Sequence, residues 1–496
     1  MSVAAILRET LRPSARGLKQ AAIKSAGWSG LSIGAKVLLT LLSVPILARL
    51  ISPEHYGVVG LATLVVEMVA LFGEIGFHSA LIQRKRVFRI DLDTAFWANV
   101  LVGLMLALVV LAAMPVAVWF FKEPRLADIL LVSAVALVVS NATALHHTIL
   151  IRTMRFGNIA VVELVSIVCR IGSAITLAWL GYGYWALVFS ALISFGVAGI
   201  LRCYFVPWLP RFRFAKARFY GLWRFGRNIL ADNMVAYFAN NVDYVIVGRL
   251  LGPQMLGFYQ MAFTLPDMVR KNFTQVLSRV LFPVYSRMQG EPARLLEGVR
   301  TVNQVVAVVA LPLLGGLLVI APALVPFYFG AKWLMVTVPL QWLCLAGIAR
   351  TLGLAFGPVF HATGRPDVTV KLSLARVPLV AGAVWLGSRW GIVGAAAGFT
   401  IISVLWFFVN AYIVTRLLRY PIGLFFVGLL APCAATAVMA AGVYWLLHVP
   451  ALLHLNFGWQ ILAAVIAGAS LYSGAMMLFG RQQLAGIVDL LAHFKK

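Results

Sequence analysis

Apolar runs of twenty or more residues recur from Trp28 to Phe479, separated by short polar connections. A run of that length crosses the ~30 Å hydrocarbon core of a bilayer as a helix. Backbone groups at that depth have no water to bond, so only helices or a closed barrel can span. The runs are continuous rather than alternating, which excludes the barrel. The expected fold is an all-α polytopic membrane protein. Its 11% charged residues, against about 25% in soluble domains, agree with that.

About fourteen transmembrane helices are predicted. Six fall in a first half, at 28–50, 57–82, 95–120, 127–150, 159–180 and 184–206. Eight follow, at 228–250, 257–284, 301–329, 333–359, 368–387, 391–417, 422–446 and 458–479. The expected domains are a basic segment 1–27, an N-lobe 28–206 and a basic linker 207–227. A C-lobe 228–420, two extra helices in 421–480 and a tail 481–496 complete the chain. The first segment carries Arg8, Arg12, Arg16, Lys19 and Lys24 with no apolar core before a cleavage site. It is therefore expected to lie on the inner membrane surface rather than to act as a signal peptide.

Loop charges support the map. The net charge of +25 sits in alternate loops, among them Arg84 to Arg89, Arg152 with Arg155, and Arg211 to Arg227. The intervening loops carry little beyond Lys122, Arg125, Lys332 and Arg389. That alternation places both termini in the cytoplasm and removes the nucleic-acid reading of the charge. Four cysteines, in or beside apolar runs, read as small buried hydrophobes. No nucleotide-binding fingerprint stands in the short loops, so the chain carries no ATPase of its own. No cofactor, metal site or catalytic residue is expected.

Arg49-Leu50-Ile51-Ser52-Pro53-Glu54-His55-Tyr56-Gly57 returns 200 residues later as Arg249-Leu250-Leu251-Gly252-Pro253-Gln254-Met255-Leu256-Gly257. Trp179-Leu180-Gly181 returns as Trp385-Leu386-Gly387, with Arg170 and Arg376 at the same offset before each. Two matches at nearly equal spacing, both at helix boundaries, indicate parallel repeats of an even number of spans.

Ionisable groups at membrane depth are functional hypotheses by default. In the seventh span Asn233, Tyr237, Asn240, Asn241 and Tyr244 form one stripe, bordered by Asp243. Glu67, Glu74 and His78 share a stripe in the second span; Glu163, Ser166 and Arg170 share one in the fifth. Asp267, Arg270 and Lys271 share one in the eighth. With the lobes facing across a cleft, the cavity mixes acids (Glu67, Glu74, Glu163, Asp243, Asp267) with bases (Lys36, Arg170, Arg270, Lys271, Arg350, Arg376). The slight basic excess suits an anionic substrate, for which arginine is a fork and lysine a point charge. The acids are coupling-ion candidates, or hold the bases in place. Structural readings stand beside these: Asp267 with Arg270 and Lys271 as a local ion pair, Glu163 with Arg170 as a bridge, and the asparagines as packing glue.

Pro45-Ile46-Leu47-Ala48-Arg49 through Gly57, Tyr182-Gly183-Tyr184-Trp185, and Asn240-Asn241-Val242-Asp243 with Leu256-Gly257-Phe258-Tyr259 resemble the polysaccharide-transporter flippases of the MATE-like MOP superfamily. The resemblance covers about residues 20–420. It implies two six-helix lobes in a V, plus two further helices bordering a groove for a lipid tail. It implies an oligosaccharide on undecaprenyl diphosphate as substrate, the bilayer as partner, and alternating access across the inner membrane. Exopolysaccharide or O-antigen synthesis, with a polymerase and chain-length machinery nearby, is the implied setting. Asp243 and Glu67 are the favoured coupling residues. The rivals are a multidrug cation antiporter of the same superfamily, which calls for an acidic cavity, and a lipid II flippase. A membrane polymerase or ligase is a third, and calls for a sizeable external loop bearing catalytic Arg or His.

Overall fold

A computed structural model describes residues 18–73, 81–82, 84, 87–287, 292–449 and 456–480. The segment 1–17, the tail 481–496, Glu74 and His78 lie outside the described residues. Every regular element among the described residues is helical. In chain order the α-helices are α1 (Leu18–Leu50), α2 (Pro53–Ala70), α3 (Arg89–Phe121), α4 (Leu126–Arg152), α5 (Phe156–Trp179) and α6 (Tyr184–Phe205). They continue as α7 (Lys216–Arg287), α8 (Pro292–Tyr328), α9 (Thr337–Leu352), α10 (Phe356–Ala362) and α11 (Pro366–Gly387). The last are α12 (Gly391–Leu417), α13 (Ile422–Leu447) and α14 (Phe457–Phe479).

Eleven stretches among the described residues are long and apolar enough to cross a membrane. One of them, Asp367–Leu417, holds both α11 and α12. The all-α polytopic class is therefore as the apolar runs require. Boundaries move where backbone geometry outweighs composition. The helix α7 already begins at Lys216, inside the stretch 207–227 expected as linker, because arginines and aromatics there do not break a helix. It then runs to Arg287, broken only at Gly252, whose φ of 84° and ψ of 176° leave the helical region.

Backbone packing divides the chain into two compact units, Met1–Asn241 with Gly252–Gly257, and Val242–Leu251 with Phe258–Lys496. In the first unit α3 packs on α4, α5 on α6, and α1 on α5. Leu92, Ala95, Leu145, Ile149 and Trp208 are central to one of its cores. In the second, α8 packs on α9 and α13, α12 on α9 and α11, and α13 on α14. Phe356, Phe360, Phe407 and Phe425 are central there. Lipid tails are as apolar as leucine, so close fit rather than water exclusion holds such helices together at membrane depth.

The duplicated turn shows that fit at its tightest. Ser52 caps α2, its hydroxyl accepting from the His55 N–H at 3.3 Å, and Pro53 opens the helix where its missing N–H costs nothing. Within the first unit the two copies interlock reciprocally. A Cβ on Gly57 would stand 1.6 Å from the Pro253 carbonyl oxygen, and one on Gly257 would stand 1.9 Å from that of Pro53. Only hydrogen fits at either position. The other recurrent motif also marks helix ends: α5 stops at Trp179 and α11 at Gly387.

The α1–α2 turn is further tied to the loop between α3 and α4. Arg125 Nη2 donates to Glu54 at 2.6 Å, and Arg125 Nε and Nη2 donate to Glu123 at 2.7 and 2.8 Å. The guanidinium bonds hold the Glu123 carboxyl below the usual carboxylate range.

Gly57→Ala is expected to lower the thermal midpoint by an amount equivalent to about 2 kcal/mol or more, since backbone atoms must move apart. Gly34→Ala, with nothing within 4 Å of its added Cβ, serves as control and should not lower it. Equal midpoints for the two variants in detergent would contradict the interlock.

Candidate functional site

The charged residues expected at membrane depth collect into one group in each unit. In the first, Lys36 on α1 reaches Glu163 on α5, Nζ to Oε2 at 2.5 Å, and the Ser32 hydroxyl donates to the same oxygen at 3.2 Å. Glu163 is therefore bridged to Lys36. Its separation of seven residues from Arg170 puts that residue about 10 Å further along the same helix, beyond an ion pair. Arg170 lies instead within electrostatic reach of Tyr56.

The polar stripe in the first half of α7 is partly occupied by its own backbone. Asn240 Nδ2 donates to the Ala236 carbonyl at 2.6 Å and Asn241 Nδ2 to that of Tyr237 at 3.0 Å. Such bonds to the preceding turn satisfy the amide without a partner helix. The Tyr237 hydroxyl donates across to the Leu64 carbonyl of α2 at 2.6 Å, a packing role. Asn233 is half-buried and Glu67 exposed. Glu67 lies within electrostatic reach of Tyr237.

The second unit holds the denser group. Asp267 accepts from Arg270 Nε at 2.8 Å, sits 3.0 Å from Lys271 Nζ, and lies 3.9 Å from Arg350 Nη1. Arg270 and Lys271 are the local partners that the spacing offers, one turn along α7. Arg350 comes from α9 and makes the cluster tertiary. Its guanidinium stands over the Phe399 ring at 5.3 Å, a cation–π contact that suits arginine. Asp243 is buried at 1% exposure, and its Oδ2 accepts from the Tyr259 hydroxyl at 3.1 Å. Tyr244, Tyr259, Phe263 and Phe399 form a continuous aromatic wall behind these charges, with successive centroids 5.1–5.6 Å apart.

Arg376 on α11 belongs to the same electrostatic neighbourhood, with Arg350, Arg270 and Asp243. Its Nε and Nη2 are buried and make no hydrogen bond. A guanidinium held this way is costly unless an anion completes it. Asp243 and Asp267 offer two negative charges to the four positive ones of Arg270, Lys271, Arg350 and Arg376. The group can accept an anion of about two charges.

Residue spacing brought out Asp267, Arg270 and Lys271 together, since they share one helix face. Tyr259 and Phe399 escaped it. Tyr259 stands sixteen residues from Asp243 across the Gly252 break, and Phe399 reaches Arg350 from another helix. For Tyr259 the available signals were the aromatic density after Gly257 and the motif Leu256-Gly257-Phe258-Tyr259 quoted beside Asp243.

The fold and these charged groups define a polytopic helical membrane protein with acid–base clusters at membrane depth. The chain belongs to the polysaccharide biosynthesis protein family, whose model matches residues 46–338. It is 28% identical over 477 residues to the succinoglycan biosynthesis transport protein ExoT of Rhizobium meliloti (strain 1021), covering 94% of this chain and 95% of that one. Its fold is similar to that of the lipid II flippase MurJ in an inward closed conformation. The TM-score is 0.69 at 15% identity, over 93% of this chain and 100% of that chain. It is also similar to an inward-facing multidrug resistance MATE family transporter of the MOP superfamily. There the TM-score is 0.60 at 14% identity, over 77% and 94%. The MATE-like fold expected from the quoted motifs is thus the one observed.

Removing the two arginines should move stability in opposite directions. Arg350→Met strips Asp267 and Asp243 of a cation and is expected to cost about 3 kcal/mol. Arg376→Met removes an uncompensated charge and is expected to leave the thermal midpoint unchanged or raise it. Equal losses in both variants would mean that Arg376 has a structural partner.

Proposed function

We propose that this protein is a flippase that carries undecaprenyl-diphosphate-linked oligosaccharide repeat units across the bacterial inner membrane. It serves exopolysaccharide or O-antigen synthesis and works by alternating access. The observation that carries the reading is the excess of two positive charges around Asp243 and Asp267, with Arg376 unbonded at two nitrogens. A diphosphate esterified at both ends bears two negative charges, one per phosphate, and matches that excess. Arginine pairs phosphate oxygens two at a time, and the buried setting strengthens each bond. An organic cation would meet repulsion at the same place. Membership of the polysaccharide biosynthesis protein family and the likeness to a transport protein of succinoglycan biosynthesis support the polymer side of the reading.

In this account the chain crosses the membrane fourteen times, with both termini cytoplasmic, and acts as a transporter rather than an enzyme. Lys36, Arg170, Arg270, Lys271, Arg350 and Arg376 supply charge to the headgroup. Asn233, Tyr237, Asn240 and Asn241 form its polar surround. Asp243 and Glu67 are the favoured residues for a coupling ion, with Glu74, Glu163 and Asp267 as further acids. Asp267 differs from the others in holding three cations already. Polysaccharide polymerase and chain-length machinery are the proposed neighbours that consume the flipped unit.

A strain deleted for the protein tests this directly. Lipid-linked repeat units are expected to accumulate in the inner leaflet while surface polysaccharide falls, and restoring the wild-type chain should reverse both. Normal polysaccharide with increased toxicity of cationic drugs would instead establish the antiporter reading.

A further inference from the structure

The connection from α6 to α7 turns one face into the protein and leaves the other bare. Val206 and Trp208 are buried in the core formed with Leu92, Leu145 and Ile149. The next residues point outward: Leu209 is 80% and Phe212 90% exposed, Phe214 is 48% exposed, and Arg211 and Arg213 are exposed as well. Basic and aromatic side chains alternate along Arg211-Phe212-Arg213-Phe214.

This strap is fixed, not slack. Asp93 on α3 accepts from the Arg211 N–H at 3.1 Å, while the Trp97 indole donates to the Arg211 carbonyl at 2.9 Å. Thr94 accepts from the Ala215 N–H at 3.2 Å, and the Phe212 ring stacks on Trp97 at 4.6 Å. At its start, His146 Nε2 meets the Trp208 carbonyl at 3.2 Å. Side chains of the membrane helices α3 and α4 thus replace the backbone partners that a strand neighbour would supply.

Depth follows from the same bonds. The strap begins directly after Phe205, where the apolar helix α6 ends, and is pinned to the first turns of α3, which is itself long and apolar enough to span. That is the level of lipid headgroups, where aromatic rings settle with one side in apolar surroundings and one in water.

We propose that residues 209–214 form a preorganised docking site for anionic phospholipids of the adjoining leaflet. Arg211 and Arg213 take the phosphate groups, and Leu209, Phe212 and Phe214 enter the interface. Because the backbone is already fixed, binding orders few groups anew. The site shares no residue with the acid–base groups described above and does not depend on the transported substrate. Its ligand is the bilayer itself, and its occupation steadies the α3–α4 end through the Asp93 and Trp97 bonds.

The test uses the full chain in phosphatidylcholine nanodiscs with graded phosphatidylglycerol, read by thermal midpoint and by native mass spectrometry of retained lipid. Wild type is expected to gain midpoint in a saturable way and to retain phosphatidylglycerol. Arg211→Gln/Arg213→Gln should bind it about 30-fold more weakly, from two lost contacts with an anionic surface. Phe212→Ser should weaken retention with the charges intact. The arginine variant changes only exposed side chains, so an unchanged midpoint in pure phosphatidylcholine verifies its fold, whereas Phe212→Ser also removes the stack on Trp97. An equal response to phosphatidylglycerol in wild type and the double variant overturns the proposal. Strap-dependent retention of a polyprenyl diphosphate without phosphatidylglycerol also overturns it.

Discussion

A carboxylate within an apolar helix must find its counter-charge inside the protein, and Asp267 does so three times over. Arg270 and Lys271 lie one turn away, and Arg350 reaches in from α9. That shared carboxylate holds together a cluster of cations that would otherwise repel one another at low dielectric. It does not neutralise them. The remaining excess, concentrated at Arg376, is what gives the second unit its capacity for an anion. The acid keeps the arginines folded in place, and in the proposed function the charge it leaves unmatched is what a phosphate would complete.

The duplication places the two charged groups but does not make them alike. Glu67 and Asp267 stand 200 residues apart, yet the first is exposed and the second carries three ion pairs. Arg170 and Arg376 correspond by motif, and they also differ in company: Tyr56 for one, other arginines for the other. What the copies share is the interlocked Pro–Gly pair, whose glycines admit no side chain, while the residue before each proline differs: Ser52 at φ −76° and Gly252 at φ 84°. Sterics held the turn, and chemistry was free to specialise each half.

Most of the fold was legible because the bilayer leaves few options. Continuous apolar runs admit only helices, and Ser52-Pro53 and Gly252-Pro253 announce where helices start and break. The start of α7 at Lys216 was harder to see, since polar composition marks a change of environment and not of secondary structure. The site was legible only along single helices. The spacing of Asp267, Arg270 and Lys271 puts them on one face, whereas no spacing rule joins Arg350 to Phe399 or Tyr259 to Asp243. The Glu163–Arg170 bridge, offered as an alternative structural reading, gives way for a related reason: seven residues align two side chains without bringing them within reach, and Lys36 was nearer.

The central claim is that the cations around Asp267 receive the anionic headgroup of a transported lipid. The most direct measurement is translocation of a fluorescent polyprenyl-diphosphate oligosaccharide by the purified protein in proteoliposomes, comparing wild type with Arg376→Met. The account predicts transport by wild type and its loss in the variant, with folding unimpaired. Equal rates for the two proteins, or transport of organic cations in place of the lipid, would contradict it.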